Sequence, residues 1–552
     1  MKGNTVFLLL LQVGLALLKI DHPHTSQSSI HRGGVNMPGS TNNDTSQQQQ
    51  PITNLLHTSL SENIYTIKEA LGNSNDVIIR EVILDKLDNQ LIALIHIDGL
   101  SDKTIITDII LENLMLEIDN PPENIDNNIN YIKKHCLAVG DIKEILDFTA
   151  FYNAILNGET VILLEGQSVG IATDTKYAKD RAITEPTTES VIRGPRESFT
   201  ETMRTNTALI RRKIKSPDLW IKSLVIGQVT QTDVAVIYIN GIANDKIVQE
   251  VVDRLNRIDI DGVLETGYLE DFIQDSKFTI FPMVYNTERP DVVAAELLEG
   301  KIAILVDGTP LVLTVPVVFT SFFQAAEDYY QNWIISSLIR MLRFLGISLS
   351  LILPSLYVAV TTFHQEMLPT PMLISIASQR EGVPFPAVVE ALIMEVSYEV
   401  LREAGLRMPR TIGPAVSIVG TLVIGQAAVD AGIASAVMVI IVALTAICSF
   451  LFPAYGLSNT VRVLRFPLML LASVFGLFGV MFGVMMILLH LCSLRSFGIP
   501  YMNPFGPFIL NDQKDSLILF PRTALRTRPR LIGQLNYVRQ KKYKEVRKRS
   551  KH

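Results

Sequence analysis

Gly166-Gln167-Ser168-Val169-Gly170 has the G-x-S-x-G spacing of a nucleophile elbow. That chemistry needs a strand, a strained turn that presents the serine, and then a helix whose N-terminus supports it. Here the β-rich run VILLEG leads in and a second one, SVGIATDT, follows, so the segment predicts a hairpin turn and no hydrolase. The nine histidines are scattered, and no Walker A loop, HExxH or DxDxDG element occurs, so no metal or other cofactor is expected. Cys136, Cys448 and Cys492 stand apart, which excludes both a disulfide framework and a CxxC knuckle. A different chemistry is suggested by residues 384–402, PFPAVVEALIMEVSYEVLR, where Glu390, Glu395 and Glu399 interrupt an apolar stretch. Acids in such a setting are costly. The segment therefore lines water, packs inside a bundle or lies at an interface. Glu395 and Glu399, four apart with Arg402 extending their face, leave ion pairing within the helix as the alternative.

Four uncharged or nearly uncharged runs surround those acids: residues 344–363, 412–429, 433–452 and 466–491. A hydrocarbon core of about 30 Å needs about 20 apolar residues, so a polytopic helical membrane domain is expected over 330–495. Gly420 and Gly425 in the second run, and Gly476, Gly479 and Gly483 in the last, form small-residue stripes that favour close helix packing. At the N-terminus a short apolar run behind Lys2 precedes a polar stretch ending QQQQ. Residues 1–55 thus read as an apolar run, signal-like or lying on a membrane surface, and a linker without folding content. The net charge of −6 hides a basic C-terminal tail over 496–552: residues 522–552 carry twelve Lys and Arg against the single acid Glu545.

The front half contains an internal repeat. LIALIHIDGLSDK at 91–103 matches VAVIYINGIANDK at 234–246, and GETVILLEG at 158–166 matches GKIAILVDG at 300–308, both at one offset. In each copy a β-branched run ends at Asp-Gly or Asn-Gly and a helical pattern follows, and the later strand opens a hairpin. The fold class expected is α+β: two duplicated soluble α/β subdomains, 60–185 and 190–320, followed by the polytopic α-helical membrane domain. The second copy opens on a basic stretch. Arg193, Arg196, Arg211 and Arg212 are expected on a solvated or subunit-contacting face, and with Phe199 the lone aromatic there, nucleic acid is not an expected partner.

The runs RGPRESF, NTALIRRKIK, DGVLETGYLEDFI, YNTERPDVVAAELLEGKIAILVDGTP, FFQAAEDYY, LREAGLRMPRTIGPAVSIVGTLVIGQAAVDAG and FPAYGLSNTVRVLRFP, in this order from about Val191 to Leu491, resemble the A subunit of the GerA-type spore germination receptors. The resemblance implies a non-enzymatic protein of the spore inner membrane that assembles with B and C subunits and acts in nutrient-triggered germination. It also implies a homo-oligomer that releases monovalent cations. A cation path needs small or polar lining and acidic rings. The expected lining is Tyr357, Val360 and Thr361 on one face of the first span, with Glu390 and Glu395. A non-conducting scaffold or signal-relay subunit is the alternative.

Arg340 and Arg343 before the first span place the N-terminal domain on the cytosolic side, and the basic tail prefers that side too, where it meets anionic lipid. Both ends inside predict four crossings plus a re-entrant helix at 384–402. Five crossings would serve Arg402, Arg407, Arg410, Arg462 and Arg465 better but expel the tail.

Overall fold

In the computed structural model, residues 55–84, 89–116, 128–133, 137, 141–177, 185–186, 189–408, 423–534 and 536–541 are described. The N-terminal apolar run, the glutamine-rich linker, Cys136, Gly420 with most of the second apolar run, and the last basic residues lie outside them.

The first sheet is built from Val77–Leu84 (β1), Gln90–Ile97 (β2), Ile142–Ile145 (β3), Thr160–Leu164 (β4) and Gly170–Thr173 (β5), all antiparallel in the order β1-β2-β4-β5-β3. Its central strands are continuous apolar runs because both faces are covered. Ala93, Ile95, Val161 and Leu163 pack under Leu60–Ala70 (α1) and Phe148–Leu156 (α2), while Ile92, Leu94 and Ile162 meet Ile106, Ile110 and Leu114 on the other side. Asp147 caps α2 by accepting from Ala150 N at 2.7 Å.

The second sheet, Leu219–Ile226 (β6), Thr232–Ile239 (β7), Tyr285–Thr287 (β8), Ile302–Val306 (β9) and Val312–Val315 (β10), has the same order, β6-β7-β9-β10-β8. The offset of 142 seen in the sequence holds through the ladder. The pair Val77↔Ile97 recurs as Leu219↔Ile239, and the strand ends Leu164 and Thr173 recur as Val306 and Val315. Met203–Lys213 (α3), Asp245–Asn256 (α4) and Pro290–Leu298 (α5) cover its faces. Gly99 and Gly241, at equivalent turns, take φ of 83° and 74°, a conformation in which a side chain is strained.

Arg211 corrects the expected basic face. It lies on α3 but is fully buried, and its guanidinium grips Asp76 of the first copy with contacts of 2.7 and 3.0 Å. Beside it, Trp220 Nε1 donates to Ala70 O and Ile221 N to Ser74 Oγ, so this seam joins the two sheets. Arg193, Arg196 and Arg212 remain on the surface, Arg196 in an exposed pair with Glu185.

Beyond the sheets lie Trp333–Thr362 (α6), Ala387–Arg407 (α7), Ala436–Ser449 (α8) and Tyr455–Ser493 (α9). Only α6 and α9, at 30 and 39 residues, are long and apolar enough among the described residues to cross a membrane by length and composition. At 14 residues, α8 is shorter than the apolar run that holds it. α9 is not one rod. At Gly476 φ is 58° and ψ −140°, and the chain turns back on itself. Thr460 and His490 would be about 45 Å apart on a straight helix. Yet Thr460 Oγ1 donates to Ile280 O, and His490 Nε2 is 3.0 Å from Thr279 Oγ1.

The tail also folds back. After the small hairpin of Arg495–Ser496 (β11) and Ile499–Pro500 (β12), Phe497, Ile499 and Ile532 enter the core of the second sheet. Arg528 Nε donates to Leu298 O at 2.7 Å and Arg539 pairs with Glu299 at 2.7 Å.

Candidate functional site

The glutamates of α7 face the other helices of the bundle. Glu390 is fully buried and accepts from Ser435 N at 2.7 Å and Ser435 Oγ at 2.5 Å, while Arg380 Nε stands 3.6 Å from its other oxygen. Ser435 itself caps α8. Five residues along α7, Glu395 takes Arg465 Nη1 of α9 at 2.5 Å, and that guanidinium also donates to Ser350 O and Ser350 Oγ of α6 at 2.9 and 2.8 Å. Glu399 pairs with Arg462, and Arg402 ends the series over the rings of Phe450 and Tyr455. The ion pairs therefore cross between helices. Glu395 and Glu399 do not pair within α7, the alternative read from their i,i+4 spacing; the pair inside that helix is Glu403 with Arg407.

The acids expected as pore lining are covered within the single chain. Glu390 and Glu395 are each 0% exposed, enclosed within the protomer. Tyr357 is buried with its hydroxyl 3.1 Å from Ser435 Oγ, so Tyr357 and Glu390 meet through that serine. Thr361, also buried, bonds back to Tyr357 O at 2.7 Å, and Val360 is half-buried. The five residues lie along the interior of the bundle. A sequence signal for the partners of two of them existed: Arg462 and Arg465, three apart at the start of an apolar run, share a helix face, as do Glu395 and Glu399, four apart.

The glycines pack within the chain. A Cβ at Gly476 would lie 2.7 Å from the His364 ring. At Gly479 it would collide with the carbonyl of Leu471, and at Gly483 with the Leu468 side chain. The Gly479 and Gly483 contacts close the α9 hairpin on itself, and Gly476 sets its turn against His364, just beyond α6. Gly425 faces Val439 of α8. Ser168 occupies the exposed turn between β4 and β5, strand followed by strand, without the helix that an elbow needs.

A second charged cluster, which the sequence reading missed, sits where the sheets meet the helices. Asp328 accepts from Arg340 and from Arg343 Nη1 at 2.7 Å, and Arg340 Nη1 reaches Asp515 of the tail at 2.9 Å. Tyr329 donates its hydroxyl to Asp515 at 3.0 Å. Burial pushes the Asp515 carboxyl up to about 6, against the pull of Arg340. Arg340 and Arg343 were read as topology signals only. Their partners lie 12 to 175 positions away and no local pattern marks them.

What this arrangement does chemically is hold helices, a domain and a tail in one geometry. The model of the Bacillus/Clostridium GerA spore germination protein family matches residues 65–531. Spore germination protein KA of Bacillus subtilis (strain 168) is 47% identical over 498 residues, which cover 90% of this chain and 91% of that protein. Spore germination protein GerLA of Bacillus cereus is 39% identical over 477 residues, 86% of this chain and 96% of that protein. The N-terminal domain of the A subunit of the Bacillus megaterium spore germinant receptor GerK3, a crystal structure, is 39% identical and covers 48% of this chain and 97% of that chain, with a TM-score of 0.39. The family match runs from the first sheet through the helices into the tail, and the chain therefore belongs to the GerA family of spore germination proteins, with a role in spore germination that is not an enzyme's.

Proposed function

We propose that this protein is the A subunit of a nutrient-responsive receptor in the spore inner membrane. In this reading it works with B and C subunits and oligomerises into an element that conducts monovalent cations. The observation that carries the membrane part is the helical bundle itself. α6 and both arms of α9 carry apolar side chains outward, among them Leu470, Val474, Phe478, Met481 and Met485, while Arg340, Ser350, Tyr357 and Arg465 are turned inward. The described helices make five passes in this reading, and an even total, which the docked tail requires, brings the count to six in place of the expected four crossings plus a re-entrant helix. α6 leaves the sheets and α7 returns, its Arg402 level with Phe450 and Tyr455. Residues 423–430 approach the far end, where Gly432 meets Gly382. α8 returns again, and the two arms of α9 go out and back. Six passes put Arg340, Arg402, Arg407, Arg462 and the tail on the side of the sheets, the cytosolic side by the rule for positive charge, and remove the conflict between arginines and tail.

With Glu395 enclosed by Arg465, the cation path in this reading runs between protomers, and the acids of α7 hold the bundle together. The same enclosed pair favours a second reading, a scaffold or relay subunit that conducts nothing. Potassium flux from liposomes holding the purified chain, alone and with its partner subunits, before and after nutrient addition, decides between them. Flux that requires this chain supports conduction. A sealed membrane around an assembled, nutrient-binding complex supports the scaffold.

A further inference from the structure

The return of α9 brings a loop of the second sheet to the membrane boundary. Residues 274–282 form most of the connection from the helix Thr266–Ile273 to β8, which begins at Tyr285. Four contacts stitch the loop to both arms of α9 at one level. Thr460 Oγ1 donates to Ile280 O at 2.5 Å, and Thr279 Oγ1 lies 3.0 Å from His490 Nε2. The Phe281 and His490 rings are 6.0 Å apart, and Phe281 shares a buried cluster with Leu457 and Leu491. Within this anchored loop Phe278 is 100% exposed and Ile280 47%, beside the exposed Lys277.

The height of the loop follows from the length of the returning arm. Residues 477–493 rise about 26 Å as a helix, less than the roughly 30 Å of a hydrocarbon core. The whole arm is therefore needed to span, and its lipid-facing apolar surface continues through Leu488 and Leu489 up to His490. The polar boundary falls at Tyr455–Thr460 on one arm and His490–Ser493 on the other, which is the level where the loop is tied. An aromatic side chain exposed there meets the interfacial zone of the bilayer, and a neighbouring lysine meets its headgroups.

We propose that the 274–282 loop inserts Phe278 and Ile280 into the headgroup and upper acyl region of the same membrane, so that the second sheet rides on the lipid surface. This rests on the membrane reading above. The test is tryptophan depth quenching of the full chain in liposomes, with Trp220 and Trp333 replaced by Phe. Phe278→Trp reports the loop, and Phe478→Trp reports the α9 hairpin. Insertion predicts a blue-shifted Phe278→Trp emission, lost with lipid brominated near the headgroup and resistant to aqueous iodide. Phe478→Trp is then quenched by brominated lipid as well. Iodide quenching of Phe278→Trp, with Phe478→Trp still quenched by lipid, overturns the inference and leaves the membrane reading standing. Protection of Phe278→Trp from iodide without any quenching by lipid overturns it in favour of a protein contact. If neither tryptophan responds to brominated lipid, both readings fall.

Discussion

Glu395 and Arg465 are 0% and 1% exposed and bind each other with one Glu395 oxygen, Oε1, left without a hydrogen bond. Removing one partner leaves an uncompensated buried charge, whereas replacing both by apolar residues of similar size does not. Arg465→Met is therefore expected to destabilise the protein by about 3–5 kcal/mol, and the double variant Glu395→Leu, Arg465→Met to recover most of that loss. Heating in detergent followed by size exclusion checks the order of the apparent melting temperatures. Equal loss in the single and double variants would mean that the contact of Arg465 with Ser350, rather than the ion pair, holds the site. The glutamates were visible in the sequence because charge in an apolar stretch stands out. Their hydrogen-bond partners lie 45 to 70 positions away, and only the folded geometry says which residue meets which. The same reason hid the burial of Arg211, which sits in a run of basic residues and answers to Asp76 135 positions earlier.

At the scale of elements, the repeat was legible down to its offset because each strand is an alternating or continuous β-branched run bounded by turn residues. The α9 hairpin was not. Its turn lies inside one uncharged, mostly apolar run, residues 466–489, and a single glycine in the left-handed region reverses the chain with no polar loop to mark the turn. The stripe Gly476, Gly479, Gly483 carried the signal, but a small-residue stripe serves equally a contact between subunits. Gly479 is the sharper probe, since its Cβ has no room against the Leu471 carbonyl. Gly479→Leu is expected to cost at least about 1–3 kcal/mol through overpacking. Phe478→Leu, at a side chain 66% exposed, leaves the melting temperature near that of the parent chain. A Gly479→Leu protein as stable as the parent would show that the arms are not in contact in the membrane.

For the whole molecule, the position of the tail joins sequence and fold. A basic tail read alone is a free arm that seeks anionic lipid, yet Phe497, Ile499 and Ile532 bury themselves in the second sheet, and Asp515 closes on Arg340 at the base of α6. In the membrane reading proposed above, a tail so docked is on the same side as the sheets, which requires an even number of passes whatever their count. Cysteines placed at Tyr65, Met367 and Gln540, all exposed, in a chain with Cys136, Cys448 and Cys492 changed to Ser, test this in intact bacterial cells with a membrane-impermeant maleimide. Tyr65→Cys and Gln540→Cys are expected to react only after permeabilisation, and Met367→Cys, beside the far end of α6, without it. Labelling of Gln540→Cys from outside together with protection of Tyr65→Cys would make the pass count odd. The contacts of Arg340 with Asp515 and of Arg539 with Glu299 could not then coexist with a membrane-spanning bundle, and the tail would be a separate outer element.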